Sequence, residues 1–271
     1  MSMENFKKKI PIIIFILMIL IPVGYFSYDL YRGHQAKKQH AEDIKAVDKI
    51  EEDLNRKIDE INKRSTDDDK ESNGEVERKP TKEEIDEAFR GYVGNLQNEF
   101  SNSDVIGRIR IPKLGLDYTL VHSYDNNEYL NLSPYGGYSY SGSIFLDKDS
   151  NDDFTDFNSR VFGHRMIYEN TMFTTLRYFL DQDFVNSLDN YFTITGFGGE
   201  HVYDIVASFV IPSDKELVPL DYSEDFLRML KEESEADFGH NEEFSKDDRF
   251  VTLIACTLQD GYRVVVVGKE R

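Results

Sequence analysis

The chain of 271 residues holds a single cysteine, Cys256. One thiol cannot form an intramolecular disulfide, and it excludes both a disulfide framework and a Cys₄ zinc site. Positive charge is also scarce. Against 51 aspartates and glutamates stand 32 lysines and arginines, a formal net charge of −19. Such a chain gains nothing from a polyanion, which argues against nucleic-acid binding. No metal-ligand spacing occurs, and neither a metal nor another cofactor is expected. There is no internal repeat, and no small-x-small cleavage site follows the one long apolar run.

What is present is unevenly distributed. Residues 10–28, IPIIIFILMILIPVGYFSY, carry no charge and approach the length that spans a bilayer. Lys7, Lys8 and Lys9 precede the run, and Tyr25 and Tyr28 lie at its far end, where interfacial aromatics belong. These features predict an uncleaved signal anchor, with residues 1–9 cytoplasmic and the bulk of the chain outside a single-pass membrane. Arg32, Lys37 and Lys38 reduce the charge asymmetry. Residues 29–80 read as a charged stalk and linker. Within them Ile44, Val47, Ile50, Leu54, Ile58 and Ile61 recur at three- and four-residue spacing, the pattern of an amphipathic helix, taken as a solvated stalk. Its heptads are too few to argue for a coiled coil. Residues 65–79 have almost no apolar content and read as a disordered linker.

The folded domain is expected over 81–271. Thr81 followed by Glu84 is a capping box, predicting a helix to about Phe100 that buries Ile85, Phe89, Val93 and Leu96. After Ser103 short apolar runs bounded by turns predict strands at 107–111, 118–122, 143–147, 160–163, 191–195, 201–211, 249–255 and 263–268. Eight is the number at which a small closed barrel is filled by side chains. Helices interrupt them near 171–180 and 223–233, the latter with Phe226, Leu227 and Leu230 on one face. The fold class is therefore mainly β with added helices.

Three chemistry-bearing residues fall at strand ends. Cys256 closes VTLIAC, His164 closes RVFGH, and Arg263 opens RVVVVGK after an Asp260-Gly261 turn. A hairpin there returns Arg263 beside Cys256. A free thiol is only slightly ionised at neutral pH, and a nearby cation raises the thiolate fraction. A histidine moves the proton to a leaving amine, and an arginine stabilises an oxyanion or holds a substrate backbone. From spacing alone, this grouping fits a structural reading as well as a catalytic one. His164 precedes Cys256, the reverse of papain-like chains, and no SxGC motif of L,D-transpeptidases occurs.

At these residues the sequence resembles the class B sortases. TLIAC with YRVVVVGK is similar to the family's TLxTC and R-x-VVVGK segments, and VFGHRM to YGHNM. DVIGRIRIP (104–112), DNNEYL (125–130), GSIFLD (142–147), DFTDFN (153–158) and the long segment from Ile211 to Arg249 extend the resemblance from about Asn102 to Arg271. It implies an eight-stranded sortase-type β-barrel with an N-terminal helical extension. It also implies a cysteine transpeptidase that cleaves a C-terminal sorting signal, often LPxTG or NPxTN, through a thioester on Cys256. The partners implied are secreted proteins bearing that signal and a peptidoglycan precursor or other amine acceptor. His164 would act as acid and base, and Arg263 would hold the oxyanion or the signal. Asn126 and Leu130 match positions lining the substrate groove, and Thr257 is a further candidate donor there. Two positions depart from the pattern. Arg165-Met166 stands where the family has Asn-Met, and Ala255 replaces the threonine before the cysteine. A lost hydroxyl at 255 would remove a bond orienting Arg263 or the oxyanion, which leaves a binding protein with little turnover as the alternative.

Overall fold

Short apolar runs bounded by turns follow Ser103, and all eight runs expected as strands are strands. They are β1 Val105–Ile111, β2 Leu116–His122, β3 Ile144–Leu146, β4 Asn158–His164, β5 Tyr191–Gly196, β6 Gly199–Pro212, β7 Phe250–Cys256 and β8 Tyr262–Glu270. This computed structural model describes residues 3–67, 79–166, 170–187, 189–213, 219–240, 243–256 and 261–271, with Cys256 described through its backbone. The strands close into a barrel in the order β1-β2-β3-β4-β7-β8-β6-β5. Pairs β2–β3 and β4–β7 are parallel and the others antiparallel. Closure leaves no unpaired sheet edge.

Among the described residues four α-helices accompany the barrel: α1 Met3–Asp67, α2 Lys82–Phe100, the single turn α3 Gln182–Val185, and α4 Glu224–Glu232. The capping box of α2 forms as the sequence predicts. Glu84 N–H donates to Thr81 Oγ1 at 3.3 Å, and Thr81 N–H donates to the Glu84 carboxylate at 2.9 Å. Val93 and Leu96 are buried with Ala88, Tyr92 and Phe100, whereas Ile85 and Phe89 are only half-buried. Ser223 caps α4, whose Phe226 and Leu230 are buried. Residues Phe173–Leu180 form a 3₁₀ helix. Phe173, Leu176 and Phe179 recur every third residue, which matches the 3.0-residue turn of that helix and places all three in the barrel's interior cluster.

The chain divides into two compact units, Met1–Ala41 and Glu42–Arg271. In the first, Ile14 to Tyr31 keep their large apolar side chains exposed. Among the described residues, one helix is long and apolar enough to cross a membrane by length and composition.

The second unit begins earlier than the sequence reading placed it, at Glu42 rather than residue 81. The segment read as a solvated stalk packs against the barrel: Val47 and Leu54 are buried, and Ile50, Ile58 and Ile61 join the same outer cluster as α2. Charge explains the difference. Arg108 of β1 is buried on the outer face, and its guanidinium reaches Asp117 Oδ1 at 2.7 Å, Asp48 Oδ1 at 2.7 Å and Glu51. Arg110 adds a 2.7 Å pair to Glu51. Acidic residues of α1 that read as solvated are thus the counterions of a buried arginine.

Candidate active site

Three adjacent strands bring the sequence-selected residues into one row. β4 and β7 run in parallel register from Asn158↔Phe250 to His164↔Cys256. β7 and β8 run antiparallel from Phe250↔Lys269 to Ala255↔Val264, so the next step of that ladder sets position 256 opposite Arg263. Neighbouring strands lie about 4.8 Å apart. Parity then assigns the faces. Val161, Leu253, Ala255, Val264 and Val266 belong to the barrel interior. Phe162, Ile254, Val265 and Val267 belong to the outer cluster. Positions 164, 256 and 263 fall in the outer set.

The same parity corrects the reading of Ala255. Its side chain is 1% exposed and faces the interior. A threonine hydroxyl there would point into the barrel, away from His164 and Arg263, so the alanine takes no donor from their face. The motive for a non-catalytic alternative lapses with it.

His164 is half-buried, and its Nε2 lies 2.7 Å from the carbonyl oxygen of Leu130. A carbonyl only accepts, so Nε2 carries the proton in this contact. Beneath it Gly163 faces inward; a Cβ there would meet Ile144 Cδ1 at 2.4 Å and the Phe173 ring at 2.8 Å, and only glycine fits. Arg263 is half-buried and forms no hydrogen bond or ion pair among the described residues.

The loop from β2 to β3 meets His164 through the Leu130 carbonyl. Leu130 ends a 3₁₀ turn, Glu128–Leu130, and packs partly against the outer cluster. Asn126 is engaged at both ends of its amide: Nδ2 donates to Asp147 Oδ2 at 3.0 Å, and Oδ1 accepts from Lys148 N–H at 3.0 Å. It ties the loop rather than presenting a free amide. Thr257 lies outside the described residues. Sequence patterning singles out neither Asp147 nor Gly142, although the two bracket the GSIFLD segment; a carboxylate ending a short buried strand was the available signal. Among the described residues, no cluster of three His, Cys, Asp or Glu side chains is placed to hold a metal ion.

A family model, the sortase domain, matches residues 109–271. Sortase B of Listeria monocytogenes is 30% identical over 176 residues, 62% of this chain and 70% of that protein. The structure of Clostridium perfringens sortase B superposes with a TM-score of 0.59 at 28% identity, covering 66% of this chain and 98% of that chain. A Streptococcus pyogenes class B sortase involved in pilus biogenesis gives 0.58 at 30% identity, covering 64% and 97%. The matched stretch runs from within β1 through every later strand, and on that breadth the chain belongs to the sortase family, as a class B transpeptidase.

Proposed function

We propose that this enzyme cleaves a C-terminal sorting signal of secreted proteins and transfers the new carboxyl terminus to a cell-wall amine, with Cys256 as nucleophile. The row of positions 164, 256 and 263 across β4, β7 and β8 carries this reading. The Cys256 thiol gives its proton to His164 as its sulfur attacks the carbonyl carbon of the scissile bond. The resulting tetrahedral oxyanion is stabilised by Arg263, whose guanidinium stays charged throughout. His164 gives its proton to the departing amine as the C–N bond breaks, leaving a thioester on Cys256. The acceptor amine then attacks the thioester, His164 takes its proton, and the thiolate departs. Leu130 and Asn126 belong to the loop beside His164, and Thr257, next in sequence to the nucleophile, is a further candidate donor.

The apolar run at 10–28 serves as the anchor, with residues 1–9 cytoplasmic and the barrel outside, where sorting signals and wall precursors are found. The uncharged length and the preceding Lys7, Lys8 and Lys9 support this orientation.

The test uses the full chain in detergent micelles with peptides of the NPxTN and LPxTG types and a small amine. The expected result is a mass shift on Cys256 matching the acyl fragment, discharged by the amine and absent in Cys256→Ala. Peptide turnover that persists in Cys256→Ala would sink the reading.

A further inference from the structure

The segment between β2 and β3 is fastened at closely spaced points along the residues that lead to Leu130. Asp125 Oδ1 accepts from the N–H groups of Asn127 and Glu128, both at 2.8 Å, which starts the 3₁₀ turn. Tyr129 is 1% exposed; its hydroxyl donates to Asp104 at 2.7 Å and accepts from Asn102 at 2.8 Å. Asn126 bridges from this loop to Asp147, whose side chain is fully buried. Asp147 in turn receives Arg160 Nη2 at 2.9 Å and the Asp149 N–H at 2.9 Å. On the other side of the loop Gly142 has φ +61°, and a Cβ there would lie 2.5 Å from the Tyr129 carbonyl oxygen and 2.6 Å from that of Leu130. Ser143 N–H donates to Tyr129 O at 2.9 Å. The Leu130 carbonyl that emerges from this clamp is the one in contact with His164 Nε2.

We propose that Asn126, Asp147 and Gly142 are positioning residues that hold the Leu130 main-chain carbonyl against His164, fixing the proton on Nε2 and leaving Nδ1 to exchange protons with the reacting groups. The proposal rests on His164 being the acid–base residue. It gives the carbonyl the part that a carboxylate plays in a serine-protease triad: setting ring orientation and tautomer. A neutral carbonyl does so without holding the imidazole permanently charged, which suits a residue that must both give and take a proton. Asn126 thereby acts through two intermediaries, the loop and the carbonyl, and touches no substrate.

The test uses ¹⁵N-histidine-labelled full chain in micelles, with the His164 resonances identified by their loss in His164→Ala. Wild type should show a neutral His164 protonated at Nε2 alone. Asn126→Ala should give averaged tautomer shifts at His164. It should also lower kcat for a fluorogenic NPxTN-type peptide by on the order of tenfold to a hundredfold, with KM little changed. Gly142→Ala, which pushes the same carbonyl from its other side, should give the same signature independently. A wild-type His164 protonated at Nδ1 overturns the proposal without any variant. So does an Asn126→Ala protein with unaltered His164 shifts, or with KM raised and kcat intact, the mark of a direct substrate contact. Wild-type turnover in His164→Ala defeats the acid–base assignment itself, an outcome distinct from these, and the positioning role falls with it.

Discussion

Replacing Arg108 by methionine should unfold the brace that α1 forms on the barrel. The side chain is 4% exposed, and its partners Glu51 and Asp117 are 13% and 29% exposed, so two largely buried carboxylates depend on it. Glu51 retains its 2.7 Å pair with Arg110, whereas Asp117 loses both guanidinium contacts, at 2.7 and 2.5 Å. Removing one partner from a buried ion-pair network costs about 3–5 kcal/mol, because the remaining charge stays desolvated. That is a large share of the roughly 5–15 kcal/mol that holds a domain together. At about 2–4 °C per kcal/mol for a unit of this size, Tm should fall by about 6–20 °C. Burial opposes the charge of Arg108, but hydrogen bonds and attraction from Asp117, with Asp48 and Glu51, carry its pKa above the ordinary guanidinium range, and the loss should be the same from pH 6 to 9. Urea unfolding of the full chain in micelles, followed by tyrosine near-UV dichroism, reads it. Asp48→Asn is the control: that carboxylate is 53% exposed and should matter by about 1 kcal/mol or less. If Arg108→Met lies within 1 kcal/mol of wild type, the network is offset by its own desolvation and α1 is held by its apolar stripe alone.

Truncation separates the two domain boundaries: removing residues 1–41 should leave a folded, soluble barrel, while removing 1–80 should strip the cover from Arg108 and produce an aggregating chain, as gel filtration would show. Arg263→Ala should lower kcat by roughly 10²–10³, and Arg263→Lys should recover little, because a point charge does not reproduce a planar fork; single-turnover acylation rates decide. Ala255→Thr should destabilise by about 1–3 kcal/mol through overpacking without raising turnover, and a gain in kcat would contradict the inward placement of that side chain. The His122–Asp152 hydrogen bond raises the pKa of His122 above 6.5. Its contribution is therefore complete below the unfolded value near 6.5 and is lost as pH rises through the raised folded value. The Tm gap between wild type and Asp152→Asn should close over that interval, and a gap constant from pH 5 to 9 would refute the pair.

The strands were legible because apolar runs bounded by turn residues mark them, and the row of His164, Cys256 and Arg263 was legible because each closes or opens such a run. Topology was less accessible. Nothing local shows that β4 and β7 lie side by side, since parallel partners need no connecting turn. The stalk was misjudged for a related reason. A charged helix face looks solvated until its counterion, Arg108, is found far along the chain. Asn126 was selected as a groove residue from its motif, but its hydrogen bonds to Asp147 and Lys148 depend on a loop path that spacing alone does not reveal. Ala255 looked like a defect because its neighbour is the expected nucleophile, although in a strand adjacent residues face opposite ways.

The parallel β4–β7 pair has a consequence for how the chain matures. The row is incomplete when β4 is made, and β7 follows only after β5 and β6. Contacts so distant in sequence form late. During folding, position 256 therefore comes to lie beside position 164 only when the β7–β8 hairpin inserts between β4 and β6. The row of positions 164, 256 and 263 is thus a product of barrel closure and not of any local segment.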